Sequence, residues 1–526
     1  MNARIKNTEH WLQAWKHRLL WLFLLCISLS GCSLPSNENR SVSTALGVDE
    51  AKATRLGKSI VPRAEKYPGL SGVHPLPNPL DAFASRVLLI RQAEQTLDVQ
   101  YYIWHADMTG TLLMKELLDA SNRGVRVRLL LDDNGIYGID NELAALNEHP
   151  NFEIRLFNPF VVRNPKWLGN ITHFSRLNRR MHNKSMTADN MLTIAGGRNV
   201  GDSYFGASDG TLYSDLDVLL AGPVVKEVSN DFDRYWASQS SYPAERILPD
   251  AAPNVLNQFM KQASNLEQDS EASDYIRAIR KSDFITDLLS GPLKLEWTTI
   301  CMVSDDPTKG LGQHKPEGLL TQQLREVLGV PQKEVTLISA YFVPTSSGVE
   351  AFSKMTERGV HVRVLTNSLG ATDVPVVHAA YSKYRKKLLQ SGVRLFESHS
   401  LQQNQEQDLD TRPPGSSAIS LHAKTFSIDD KQVFVGSFNF DPRSINLNTE
   451  LGFVIDSPNL AQKISDVIDG EIPVNTYEVQ LNDEGELTWV EQQGDEHIYH
   501  DTEPQSNALT RTWINLLSNL PIEWLL

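Results

Sequence analysis

Two stretches rich in apolar, β-branched and aromatic residues, TLDVQYYIW at 96–104 and VTLISAYFV at 335–343, stand out from a chain that is otherwise mixed in polarity. Such runs read as buried strands. Each is followed by a segment whose apolar positions recur three and four residues apart, GTLLMKELLDASNRG at 110–124 and SGVEAFSKMTERG at 347–359. That spacing predicts a helix with one buried face. Each helix ends in Arg-Gly and runs into a second strand, VRVRLLLDD at 125–133 and VHVRVLTNS at 360–368. EIRLFN at 153–158 and VRLFES at 393–398 follow. Two strand–helix–strand series at a steady offset predict an α/β fold built from a duplicated half. The right-handed crossover rule makes each sheet largely parallel in this part.

The pattern also sets the expected organisation around those halves. Arg4, Lys6, Lys16 and Arg18 precede the apolar run LLWLFLLCISLSG at 19–31. The run is too short for a membrane-spanning helix, which needs about 20 residues, and it suits a signal-peptide core. It closes in LSGC, which resembles a bacterial lipobox. That resemblance implies cleavage before Cys32, lipidation of its thiol and, with Ser at position 33, sorting to the outer membrane facing the periplasm. Residues 1–31 are therefore expected to be a leader and 32–75 a lipidated cysteine with a polar tether. The first half is expected over 76–236, a mainly helical bridge over 237–290, the second half over 291–470 and an acidic tail over 471–526.

With 526 residues, the chain is long enough for two cores. A formal charge of −14 makes it a poor general binder of nucleic acid. Of three cysteines, Cys26 would leave with the leader and Cys32 would be acylated. Only Cys301 would stay free, so no internal disulfide is expected.

Chemistry enters with a second repeat. MHNKSMTADN at 181–190 and LHAKTFSIDD at 421–430 share His-x-Lys, with Asp five residues after the Lys. Alternation along a strand would point His182 with Lys184, and His422 with Lys424, to one face. Asp189 and Asp429 fall at turn-forming pairs and read as structural. A two-residue turn at each would set His182 opposite Gly197 and His422 opposite Ser437, small residues that leave room beside the imidazoles. Asn199 and Asn439 follow on the same face.

Two imidazoles, two ammonium groups and two amides suit a phosphodiester. The Lys and Asn side chains would hold non-bridging oxygens, while one His attacks phosphorus and the other protonates the leaving alcohol. A nucleophilic imidazole needs its other nitrogen held, which a carboxylate does. Glu450 and Asp215 occupy matching places, eight residues before Pro458 and Pro223, with Asp217 as a competitor in the first half. Lysines beside both histidines would repel a metal cation, so no metal or other cofactor is expected.

These residues resemble the phospholipase D superfamily, the HKD enzymes, over roughly 80–470. In that family each half supplies part of one active site at a pseudo-twofold interface, and the reaction runs through a phosphohistidine. The resemblance implies His182 as nucleophile and His422 as general acid. RMHNKSMTADNMLTIAGGRNVGDSYF at 180–205, SFNFDPRSINLNTELG at 437–452 and the LPIEWLL ending are most similar to bacterial cardiolipin synthases of the C type. They imply transfer of a phosphatidyl group to phosphatidylglycerol, with phosphatidylglycerol or phosphatidylethanolamine as donor. Hydrolytic phospholipase D, a nuclease and a non-catalytic envelope lipoprotein are the competing readings. Finally, 154–188 lacks acidic residues after Ile154. It holds Arg155, Arg163, Lys166, Arg176, Arg179 and Arg180 among Phe160, Trp167 and Phe174. It reads either as a headgroup-facing surface or as a basic wall packed against protein.

Overall fold

The computed structural model describes residues 33–207, 211–268, 275–277, 294–399, 418–471 and 475–525. The expected leader and Cys32 lie outside them. Two large sheets dominate. In the first, the strands lie in the order Glu296–Thr298, Ser71–Leu76, Asp217–Ala221, Leu192–Gly196, Ser185–Ala188, Thr96–Ile103, Arg126–Gly135, Phe152–Phe157 and Ser241–Pro243. Only Thr96–Ile103, Arg126–Gly135 and Phe152–Phe157 run parallel to one another. The second sheet repeats this centre with Glu334–Ser339, His361–Asn367 and Arg394–Ser398. The expected parallel part is present in both halves, and antiparallel strands flank it.

Local chemistry explains the elements. Helix Met108–Asn122 starts at Asp107, whose carboxylate accepts from Gly110 N at 3.1 Å. It stops at Gly124, which takes the left-handed conformation at φ 94°. Gly359 does the same at φ 86° after helix Thr345–Glu357. The charged residues inside the buried strands pair in register. Asp98 lies opposite Arg128 and accepts from its guanidinium at 2.7 and 2.8 Å. Each half has its own apolar core, and a third cluster joins them. That cluster takes Val224, Val225 and Val228 from helix Pro223–Trp236 and Leu460, Ala461 and Ile464 from helix Pro458–Asp466.

Three expectations about the flanks change. The expected tether, 32–75, is not free from Asn37 onward. Arg40 donates to Ser241 O at 2.7 Å, Ala45 N donates to Asp233 at 2.9 Å, and Ala51, Leu56 and Ile60 are buried. Ser71–Leu76 is a strand inside the first sheet. The bridge is helical at Val255–Gln268, yet Ser241–Pro243 is an edge strand of the first sheet. The tail is no separate unit either. Thr476–Leu481, Leu487–Gln493 and Glu496–His500 extend the second sheet by three strands. No helix among the described residues is long and apolar enough to cross a membrane.

Candidate active site

The two His-x-Lys segments meet at the C-terminal ends of the parallel strands, where the halves touch. Two short parallel pairings bring them there. Met181 bridges Thr449, with His182 N donating to Thr449 O at 2.9 Å. Ala418–Leu421 pairs with Thr211–Ser214, and His422 N donates to Ser214 O at 2.8 Å. The residue after each partner is an acid. Glu450 is therefore delivered to His182, and Asp215 to His422. The carboxylates cross over, each orienting the imidazole of the opposite half.

His182 Nδ1 faces two acceptors, Glu450 Oε2 at 2.8 Å and Ser437 O at 3.0 Å. Nδ1 must then carry the hydrogen, which leaves the Nε2 lone pair for attack. His422 Nδ1 donates to Asp215 Oδ2 at 2.6 Å. Asp217 is not the partner. It accepts from Arg86 at 2.8 Å and from Arg198 N at 3.2 Å.

The lysines fold back on their own histidines. Lys184 Nζ donates to His182 O, and Lys424 Nζ donates to His422 O while standing 3.3 Å from His422 Nε2. All six groups are buried. Burial, with Lys184 and Lys424 close by, holds His182 well below the ordinary imidazole value. Burial and Lys424 push His422 down to about 4. Burial lowers both ammonium groups, Lys184 to about 7. The acids diverge. Burial pushes Glu450 up to about 7. Burial raises Asp215 too, but His422 and Lys424 outweigh it and hold it below the usual carboxylate range.

The hairpin geometry differs by one residue from expectation. The tight turns are where the sequence puts them. Asp189 and Asn190 sit at φ 50° and 53°, Asp429 and Asp430 at φ 55°. However, Ala188 pairs with Leu192 and Ile428 with Gln432, so Met191 and Lys431 are extra residues in the loops. One inserted residue shifts the register. His182 is not opposite Gly197, nor His422 opposite Ser437. The small residues serve the acids instead. A Cβ at position 197 would collide with the Asp215 carboxylate. Ser437 Oγ donates to Glu450.

The remaining candidates divide. Asp189 is buried and accepts from Glu94 N, Gln95 N and Thr96 N at 2.8–2.9 Å. Asp429 accepts from Gln332, Lys333 and Glu334 N in the same manner. Both tie the hairpin to the neighbouring strand, far from the imidazoles. Asn199 is held by its neighbours. Its Oδ1 accepts from Ile103 N and its Nδ2 donates to Tyr204 OH, both at 3.1 Å. Asn439 Oδ1 is buried without a hydrogen-bond partner among the described residues.

The sequence reading missed the aromatic walls. Tyr102 lies edge-on to His182 at 5.0 Å, and Tyr204 and Tyr213 flank His422 at 5.2 and 5.0 Å. It also missed Asp305, which accepts from Glu450 N and from Lys309 and so fixes the acid's backbone. No motif marks these residues. The basic residues of 154–188 mostly bond within the first half. Arg163 and Lys166 pair with Asp133, Arg180 with Asp132, and Arg155 donates to Trp236 O.

A duplicated α/β fold with two crossed His–acid pairs around two lysines has close counterparts. The family described as cardiolipin synthase, PLD-like domain, matches twice, at residues 87–236 and 324–471. The chain belongs to this cardiolipin synthase family. Within it, cardiolipin synthase C of Escherichia coli (strain K12) is 47% identical over 472 residues, covering 90% of this chain and 100% of that protein. An uncharacterized protein of Helicobacter pylori (strain ATCC 700392 / 26695) is 30% identical over 85% of this chain and 88% of its own. The crystal structure of a phosphatidylserine synthase from Haemophilus influenzae Rd KW20 superposes with a TM-score of 0.55. It is 13% identical and covers 88% of this chain and 99% of that one, a likeness of fold.

Proposed function

We propose that the protein is a phosphatidyltransferase that makes cardiolipin by moving a phosphatidyl group onto a hydroxyl of phosphatidylglycerol. The observation that carries this reading is the crossed pairing. Each imidazole has its Nδ1 bound to a buried carboxylate of the other half. His182 Nε2 attacks the donor phosphorus, the bond to the headgroup oxygen breaks, and His422 gives that oxygen its proton. In the second step His422 takes the proton of the acceptor hydroxyl as its oxygen attacks phosphorus, and the P–N bond to His182 breaks. Lys184 and Lys424 stabilise the non-bridging oxygens. Asp215 accepts from His422 Nδ1 at 2.6 Å, so a carboxylate stands beside the imidazolium that forms when His422 takes up a proton.

Purified protein with phosphatidylglycerol labelled in its headgroup should yield cardiolipin and free glycerol, and His182→Ala should yield neither. Phosphatidic acid as the sole lipid product would replace transfer by hydrolysis. Cardiolipin formed only when phosphatidylethanolamine is added would identify that lipid as donor. The LSGC that ends the apolar run supports, separately, an enzyme on the periplasmic side of the envelope, anchored through a lipidated Cys32. Cys32→Ser should then block processing or release the chain from membranes. Full processing with unchanged attachment would refute the anchor.

A further inference from the structure

Two amphipathic helices of unrelated sequence occupy equivalent places in the two halves. Helix Trp167–Leu177, kinked at His173, lies beyond the C-terminal end of strand Arg126–Gly135, where Lys166 donates to Asp133 O and Ile136 O at 2.8 Å. Helix Ala508–Ser518 lies beyond the matching end of His361–Asn367, with Ile514 packed on Leu369 and Ala379. Both therefore sit at the end of the sheets where His182 and His422 meet. They also share a neighbour. Arg443, on helix Pro442–Asn446 next to the site, donates to Asn178 O at 2.9 Å at the end of the first helix. The turn Glu523–Leu525 that follows the second helix packs on the same element.

Each helix turns its largest apolar side chains outward. Trp167 and Ile171 are 60% and 71% exposed, Trp513 and Leu516 56% and 57%, and Leu509 extends the second stripe. The spacing of 509, 513 and 516 is one helical face. Neither helix contains an acidic residue, in a chain whose formal charge is −14. Each carries one arginine, Arg176 or Arg511. Clustered exposed tryptophan and aliphatic groups are uncommon on a surface that stays in water.

We propose that these two helices form a bilateral docking surface for an anionic phospholipid bilayer, with the active-site mouth between them. The proposal rests on the phosphatidyltransferase reading and adds where and in which orientation the enzyme meets its substrate. Trp167 and Trp513 take the interfacial positions that tryptophan favours, the aliphatic side chains enter the acyl boundary, and neither helix brings a carboxylate against the anionic headgroups. Two contacts on either side of the mouth fix a plane, which a single anchor does not.

The test uses the full chain on vesicles of phosphatidylglycerol and phosphatidylethanolamine. Ile171→Cys and Leu516→Cys, labelled with an environment-sensitive fluorophore against the Cys301→Ser parent as background, should blue-shift and be quenched by spin-labelled lipid. Val330→Cys should not, since Val330 is exposed at the opposite end of the second sheet. A combined Trp167→Ser, Ile171→Ser, Trp513→Ser and Leu516→Ser variant should lose at least about tenfold in transfer on vesicles. On a monomeric short-chain substrate it should match the parent. Equal quenching at all three positions, or unchanged transfer on vesicles, would overturn the docking surface. So would a blue shift on concentrating the protein without lipid, which would mean that a second copy covers the face. Absence of transfer by the parent on the monomeric substrate would instead refute the phosphatidyltransferase reading.

Discussion

Glu450→Gln separates catalysis from stability because the two should move in opposite directions. Glu450 is fully buried, and its raised value near 7 means that ionising it in place is costly. The ordinary value is 4.5, so between these two pH values the folded chain holds a proton that the unfolded chain has lost. Stability contributed by that proton is complete below about 4.5 and is lost as pH rises through about 7. Above that, the buried charge costs about 3 kcal/mol by the size of the shift. Gln mimics the neutral acid and does not titrate. The variant should melt with the parent at pH 5 and above it at pH 8. Activity should fall. A Gln amide can donate to His182 Nδ1, which drives the hydrogen to Nε2 and removes the attacking lone pair. Ser437 O, 3.0 Å from Nδ1, still favours the productive tautomer. We therefore expect kcat to drop by about 10²–10³-fold, less than the 10⁴ seen when a triad acid has no such backup. Calorimetry at the two pH values, with initial rates on a soluble phosphodiester, checks both arms. A variant that keeps more than about a tenth of the activity, or melts below the parent at pH 8, would refute the assignment.

Other consequences are more direct. His422→Ala should still form the phosphohistidine, seen as a burst, from a substrate whose leaving group needs no proton, whereas His182→Ala should give no burst; the reverse would exchange their roles. Asp189→Asn sets an amide N–H against backbone donors at Glu94, Gln95 and Thr96 and should destabilise the chain by about 1–3 kcal/mol. Denaturant melts should show a smaller effect for the half-buried Asp429→Asn, and both should keep activity when folded; an inactive, fully stable Asp189→Asn would contradict the structural role. Chelator should leave the rate on a soluble substrate unchanged, because Lys184 and Lys424 already supply positive charge at the phosphate; restoration by one divalent ion would contradict this.

What was legible in the sequence follows burial and repetition. The parallel strands could be read because both their faces are covered, which buries runs such as VTLIS at every position and leaves no alternation with charged residues. The acids could be located because Pro223 and Pro458 start equivalent helices. Their crossed pairing could not, since it depends on two inter-half contacts, 181 with 449 and 418–421 with 211–214. The hairpin register failed by one because Met191 and Lys431 carry no turn signature, yet each adds a residue to its loop. The tether reading of 32–75 failed over its described part because the anchoring there is made by arginine and asparagine to backbone carbonyls, as at Arg40 and Asn37. Polar composition alone does not distinguish such a packed segment from a free one.

The exchange of carboxylates between the halves has an evolutionary side. In a dimer of identical chains, both acids would be encoded by one codon and would titrate alike. Fusion into a single gene releases each copy to mutate on its own. Here one copy carries Gly197 with Asp215 and the other Ser437 with Glu450, so the longer acid comes with the hydroxyl that binds it. Carrying both halves in one chain thus makes the two imidazoles chemically distinguishable, so that one can give a proton while the other attacks.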